Sequence, residues 1–110
     1  MTEDQLQAEC FRFCWNAHPQ TRKLLFSVPN GGLRNPREAQ KLKSTGTVAG
    51  VSDLIFLWKG KCYLIEMKTS TGTQQKNQKE WEELVKAHGF DYFICRSLEQ
   101  FKLIINKIIG

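Results

Sequence analysis

Asp53, Glu66 and Lys68 have the types and spacing for phosphate chemistry. Asp53 opens the stretch Asp53–Trp58, and Glu66 and Lys68 close the stretch Lys61–Lys68. Both stretches read as strands, joined across Lys59-Gly60. A two-residue turn there makes Trp58 face Lys61 and every facing pair sum to 119, so Asp53 faces Glu66. Directly opposed residues have Cβ atoms about 4.5–5.5 Å apart, where like charges destabilise the pair. The remaining hairpin is apolar on both faces: Ile55, Leu57, Cys62 and Leu64 on one, Leu54, Phe56, Tyr63 and Ile65 on the other. That is the pattern of an interior strand pair covered on both sides. Two acids at the end of such a pair make physical sense if a cation bridges them, and oxygen ligands favour Mg²⁺ or Mn²⁺. Lys68 lies two residues beyond Glu66 and is expected on the same face. Such a cation polarises a phosphate and lowers the pKa of a water, while the lysine orients that water or steadies developing charge; the set suits phosphodiester hydrolysis. A plain salt-bridge cluster of the three residues at a sheet edge is the competing arrangement. A three-residue turn would also shift the pairing by one and part the acids.

The rest of the chain supplies the elements that must position these groups. Thr2-Glu3-Asp4-Gln5 reads as a capping box, opening a helix that runs to about Ala17 before Pro19. Leu6, Cys10, Phe13, Cys14 and Ala17 form its apolar stripe, with Glu9 inside it, where a carboxylate needs a partner or solvent. Phe11 and Trp15 make a second apolar stripe on the opposite side, as expected of a helix that is deeply buried or shared with another subunit. Leu24–Val28 reads as a strand, closed by Pro29-Asn30-Gly31-Gly32. A short basic helix follows to about Ser44, with Asn35 as cap, Pro36 first and Glu38 completing the box. After the hairpin, Gln74–His88 is a helix packing Trp81, Leu84 and Val85 and stopped by Gly89. Asp91–Arg96 is a last strand, and Ser97 caps a final helix with Phe101, Ile104, Ile105 and Ile108 inward. The order is α-β-α-β-β-α-β-α, without a repeat or dividing linker, so residues 1–110 read as one domain.

Composition agrees with a globular domain: 41% of residues are hydrophobic and 25% charged, which excludes collagen-like and disordered classes. No apolar run approaches the roughly 18 residues of a membrane helix. The polar, acidic N-terminus does not read as a signal peptide, so an intracellular, cytoplasmic protein is expected. Sixteen basic against eleven acidic residues give a charge of +5, which favours a polyanionic partner. Cys10, Cys14, Cys62 and Cys95 show no CxxC spacing. Cys10, Cys14 and His18 recur at helical spacing, as either a metal group or small buried residues on a helix face. There is no Ser-His-Asp set, no histidine cluster of HNH type and no P-loop.

Gly50-Val51-Ser52-Asp53, a hairpin, then Glu66-Met67-Lys68 resembles the PD-(D/E)XK nuclease signature, with Ser52 in place of its Pro. More narrowly, the chain resembles the virus-type replication-repair nuclease (VRR-NUC) family, in its small stand-alone phage and bacterial form. Glu9 matches that family's helical acid and Asn30-Gly31 its turn, and Gly72, Gln78, Trp81 and Gly89 match its G…Q-x-x-W…G stretch. The resemblance spans roughly Glu9 to Ile108. It implies a mixed central sheet flanked by helices, of restriction-endonuclease-like α/β class, and Mg²⁺- or Mn²⁺-dependent cleavage of DNA. Asp53, Glu66 and the Met67 carbonyl would hold metal, Lys68 would be the catalytic lysine, and Glu9 would complete or orient the metal shell. Gln78, three residues before Trp81, is either a catalytic group or a buried structural amide.

Arg34, Arg37, Lys41 and Lys43 precede the glycine loop leading to Asp53 and are candidates to bind phosphates beside the cut, with Lys76 and Lys79 from the opposing helix. With no base-reading module, DNA would be held through its backbone and shape, which suits structure-selective cutting. Small members of this family are similar to homodimeric enzymes that resolve four-way (Holliday) junctions, and Phe11 and Trp15 would supply the dimer surface. The alternatives are the same chemistry on flaps, nicked or plain duplex, and a non-catalytic DNA-binding module.

Overall fold

The computed structural model describes residues 1–29 and 35–110. The Asn30-Gly31 turn and Arg34 lie outside the described residues. Helix α1 spans Glu3–Ala17, strand β1 Leu25–Ser27, helix α2 Pro36–Ser44, and strands β2 and β3 Leu54–Trp58 and Lys61–Met67. Helix α3 spans Lys76–Ala87, strand β4 Asp91–Cys95 and helix α4 Leu98–Ile109, with a 3₁₀ turn at Pro19–Thr21. The order is the one expected from the sequence. The four strands seen among the described residues form one sheet in the order β1-β2-β3-β4, the first two pairings antiparallel and the last parallel.

Local chemistry accounts for the ends of these elements. At α1 the capping box closes both ways: Gln5 N–H donates to Thr2 Oγ1 at 3.1 Å, and Thr2 N–H donates to Gln5 Oε1 at 2.8 Å. Asn35 caps α2 by accepting from Glu38 N–H at 2.8 Å, and Ser97 caps α4 by accepting from Gln100 N–H at 3.1 Å. Lys59 and Gly60 both have positive φ, 47° and 79°. That is the turn whose twist matches a two-residue hairpin. The register follows from it, Trp58 opposite Lys61 through Leu54 opposite Ile65, each pair summing to 119.

The two faces of the sheet are unequally covered. Leu54, Phe56, Ile65 and Met67 are wholly buried on one face, in a core with Leu6, Cys10 and Cys14 of α1 and Phe101 and Ile105 of α4. The other face carries Leu64, Glu66 and Tyr92, and α3 reaches it through the Trp81 ring, 6.1 Å from that of Tyr92. One helix cannot cover four strands. Leu57 and Phe26 are therefore exposed, and so is Leu84 on α3 at 57%, which corrects the expectation of a hairpin covered on both sides and of an inward Leu84. All four cysteines are free. Cys10 and Cys14 sit in the core, where the Cys14 thiol lies 3.2 Å from the Thr21 hydroxyl.

The asymmetry separates two truncations on neighbouring residues. Phe56→Ala is expected to cost about 3–5 kcal/mol in urea unfolding, as for buried aromatics generally. Leu57→Ala is expected to change stability by less than about 1 kcal/mol, as at exposed positions.

Candidate active site

Asp53 lies just outside β2, directly beyond the Leu54–Ile65 pair, so the register carries it to Glu66 as the sequence indicates. Its Oδ2 accepts from Met67 N–H at 2.7 Å. Glu66 is fully buried. Its Oε1 accepts the Tyr92 hydroxyl proton at 2.5 Å, while Oε2 is buried with no hydrogen-bond partner among the described residues. Lys68 is 5% exposed, and its Nζ lies 3.9 Å from Oε2 of Glu3, in the first turn of α1. Beyond Met67 the strand has ended, so alternation no longer fixes where the lysine goes.

The loops that deliver these groups are held tightly. Gly50 has φ +87°, and a Cβ there would stand 2.7 Å from the Asn77 carbonyl oxygen of α3. Only glycine allows that approach, which explains the Gly-x-x-Asp spacing. Ser52 is buried and its hydroxyl donates to the Leu54 carbonyl at 3.2 Å, tying the loop to the hairpin where the signature has proline. After Lys68, Arg96 Nη1 donates to the carbonyls of Thr69 and Gly72 at 2.8 and 2.7 Å and clamps the next loop.

Burial, with the charges of Glu66 and Glu3, pushes the Asp53 carboxyl above its ordinary value, against the opposing pull of the Met67 N–H and Lys68. Three carboxylates (Asp53, Glu66 and Glu3) and one ammonium (Lys68) leave two negative charges uncompensated when all are ionised. The donors and the orphaned Glu66 oxygen therefore fit a divalent cation. Among the described residues no three His, Cys, Asp or Glu side chains form a metal-holding cluster.

Asp53, Glu66, Met67 and Lys68 are thus brought together. No contact of Glu9 with them is seen among the described residues: it is half-buried on α1, and it is Glu3 whose charge reaches Asp53 and Lys68. Helical geometry gives the reason. At 100° per residue Glu3 falls about 20° from the mean direction of Leu6, Cys10 and Cys14, whereas Glu9 falls about 100° away. Gln78 caps its own helix, its Oε1 accepting from Gln75 N–H at 2.8 Å. Arg37, Lys41 and Lys43 are exposed along α2, as are Lys76 and Lys79 on α3. Sequence reasoning missed Glu3, Tyr92, Gln74 and Arg96. Glu3 could have been found from its helical angle; Tyr92 depends on the parallel β3–β4 register, which no turn specifies.

A VRR-NUC domain is matched over residues 2–99 of the chain. Among solved structures, a VRR_NUC domain protein superposes with a TM-score of 0.79 at 22% identity, covering 99% of this chain and 88% of that chain. No curated protein matches the chain in sequence. The family match implies a nuclease of PD-(D/E)XK type, and the structural match shows the same fold. The chain belongs to the VRR-NUC family. Nucleases of this type usually use a divalent metal. Among the described residues no helix is long and apolar enough to cross a membrane.

The charge imbalance predicts the effect of removing one acid. Asp53→Asn keeps an acceptor for Met67 N–H and deletes a poorly solvated charge, so the metal-free variant is expected to melt at a higher temperature than metal-free wild type. Mn²⁺ at about 100 times its dissociation constant is expected to stabilise wild type by about 2.7 kcal/mol. The Asp53→Asn variant is expected to lose that increment. Differential scanning calorimetry with and without the ion checks both.

Proposed function

We propose that this protein is a divalent-metal-dependent, structure-selective DNA endonuclease that resolves four-way junctions as a homodimer. One observation carries the chemistry: Asp53 and Glu66 converge at the end of a hairpin, with one oxygen of Glu66 buried and unpartnered among the described residues and a buried lysine alongside. Asp53, Glu66 and the Met67 carbonyl would hold Mg²⁺ or Mn²⁺. When bound, the ion supplies Lewis-acid polarisation of the scissile phosphate.

The chain's own groups do the rest. Lys68 sits with little solvent competition and a loose ion pair to Glu3, so its ammonium is available to orient a water or steady charge on the phosphate oxygens. Glu3 sets the position of Lys68 and adds negative charge to the cation site. Gln78, its carbonyl oxygen engaged as a cap, acts through α3, whose first turn supports the Gly50 loop. The exposed cations Arg37, Lys41 and Lys43, with Lys76 and Lys79, provide phosphate contacts that read backbone and shape rather than bases.

The dimer reading rests on a groove of about 580 Å³ between α1 and the edge strand β1. Phe11, Trp15 and Phe26 line it, with Asp4 and Lys23 also on its walls. Trp15 is 40% exposed, and Arg22 holds it from behind, 4.9 Å from the ring centroid. An apolar groove carrying both an acid and a base is suited to a two-fold contact, in which each meets its opposite across the axis. A symmetric pair of sites is what paired nicks across a junction require.

A labelled four-way junction and a linear duplex of equal length, each incubated with Mg²⁺, Mn²⁺ or EDTA, test the activity. Metal-dependent paired nicks on the junction alone, at least about 10²-fold slower in Lys68→Ala, are expected from loss of one charge-stabilising group. Equal cutting of both substrates would leave a nuclease without junction selectivity. Binding without cutting under any metal would demote the acids to a salt-bridge cluster. Light scattering at micromolar concentration is expected to give twice the 12.7 kDa chain mass, and Trp15→Glu to give the monomer.

A further inference from the structure

Glu66 meets a donor from an element that the PD-(D/E)XK signature does not include. Tyr92, on β4, points its hydroxyl at Glu66 Oε1 from the neighbouring strand, two residues from Ile94, which pairs with Glu66. Tyr92 is itself 8% exposed and leaves little room to swing: Trp81 packs on its ring at 6.1 Å, and Gln74 Nε2 lies 3.4 Å from its oxygen. Gln74 is fixed in turn by Glu82 at 2.9 Å, and Glu82 by Lys86 at 2.6 Å. The chain of contacts Lys86–Glu82–Gln74–Tyr92 runs from exposed helix surface to the buried carboxylate. It leaves Glu66 with one oxygen occupied and one free of partners among the described residues.

We propose that Tyr92 is a positioning residue that restricts Glu66 to a single oxygen for the metal, and thereby favours a small octahedral ion over Ca²⁺. The inference rests on the metal-dependent reading above. Ca²⁺ accepts six to eight oxygens and readily takes both from one carboxylate, whereas Mg²⁺-like ions demand near-octahedral geometry and take carboxylates sparingly. A hydroxyl on Oε1 opposes the two-oxygen mode. It also fixes the orientation of Oε2, the kind of outer contact whose loss costs about 10–100-fold in metal affinity.

Tyr92→Phe removes the hydroxyl and keeps the ring against Trp81. Calorimetric titration of the purified protein with Mn²⁺ and, separately, Ca²⁺ reads the effect without turnover. Mn²⁺ affinity is expected to fall about tenfold, at the lower end for such contacts, while Ca²⁺ affinity holds or rises, so the ratio of the two collapses. Equal losses for both ions would mean general loosening and overturn the proposal, as would no change in either. Gln74→Leu, which leaves the Tyr92 hydroxyl in place and unsupported, is expected to shift the ratio the same way by a smaller factor; this keeps the test open if the phenylalanine variant unfolds. Wild type that binds neither ion would instead overturn the metal reading, and this inference with it.

Discussion

The site depends on a two-residue turn at the far end of its hairpin. Lys59 and Gly60 both lie in the left-handed region, a combination that gives a two-residue loop the twist of its strands. For Lys59 the conformation costs about 1–2 kcal/mol, a cost glycine escapes. What offsets it is the set of pairs the turn enforces, Leu54 with Ile65 and Phe56 with Tyr63, most of them deep in the core. A slip of one residue would carry that whole set to the opposite face. Burial of the core face therefore locks the register, and the register brings Asp53 to Glu66. The other end is fixed independently, because the Gly50 backbone lies against Asn77 where no side chain fits.

Charge is assembled against the preference of the fold. A fully buried glutamate with an orphaned oxygen, an aspartate whose proton affinity is raised, and a third acid on α1 are answered, among the described residues, by Lys68. Apolar replacements would suit the same space better in the absence of a cation, since unpaired buried charge is among the costliest features of a protein interior. In the proposed metal-binding role that liability is the function, and a bound cation would reverse the sign of their contribution.

Much of this was legible in the sequence, and the exceptions have specific physical causes. Thr2 with Gln5, Asn35 with Glu38, and Ser97 with Gln100 declare three helix starts through local hydrogen bonds. The turn dipeptide gives the antiparallel register because only two residues separate the strands. The parallel pairing of β3 with β4 has no such signal: a loop and α3 intervene, and which residue meets Glu66 is decided by packing at long range. Tyr92 was therefore invisible. Glu9 attracted notice as an acid within an apolar stripe, yet the stripe is centred on Leu6, Cys10 and Cys14 and points Glu3 at the site. Reading Leu57 and Leu84 as inward treated apolarity as burial, when a single helix on that face leaves both in water.

Helix α1 joins the two halves of the proposed function. Its first turn carries Glu3 to Lys68, and its later turns carry Ala8, Phe11 and Trp15 to the groove beside β1. A helix terminus ordinarily frays, with free energies of opening near zero. Here the Thr2–Gln5 capping box holds the first turn closed, and Leu6, seated in the core, anchors it from the next turn. A second copy seated in the groove would press on the same rigid rod between Phe11 and Trp15, resisting any rocking of α1 away from the sheet. In the proposed dimer, contacts made at the groove would bear on how firmly Lys68 is placed, because Glu3 reaches Lys68 through its position on that rod.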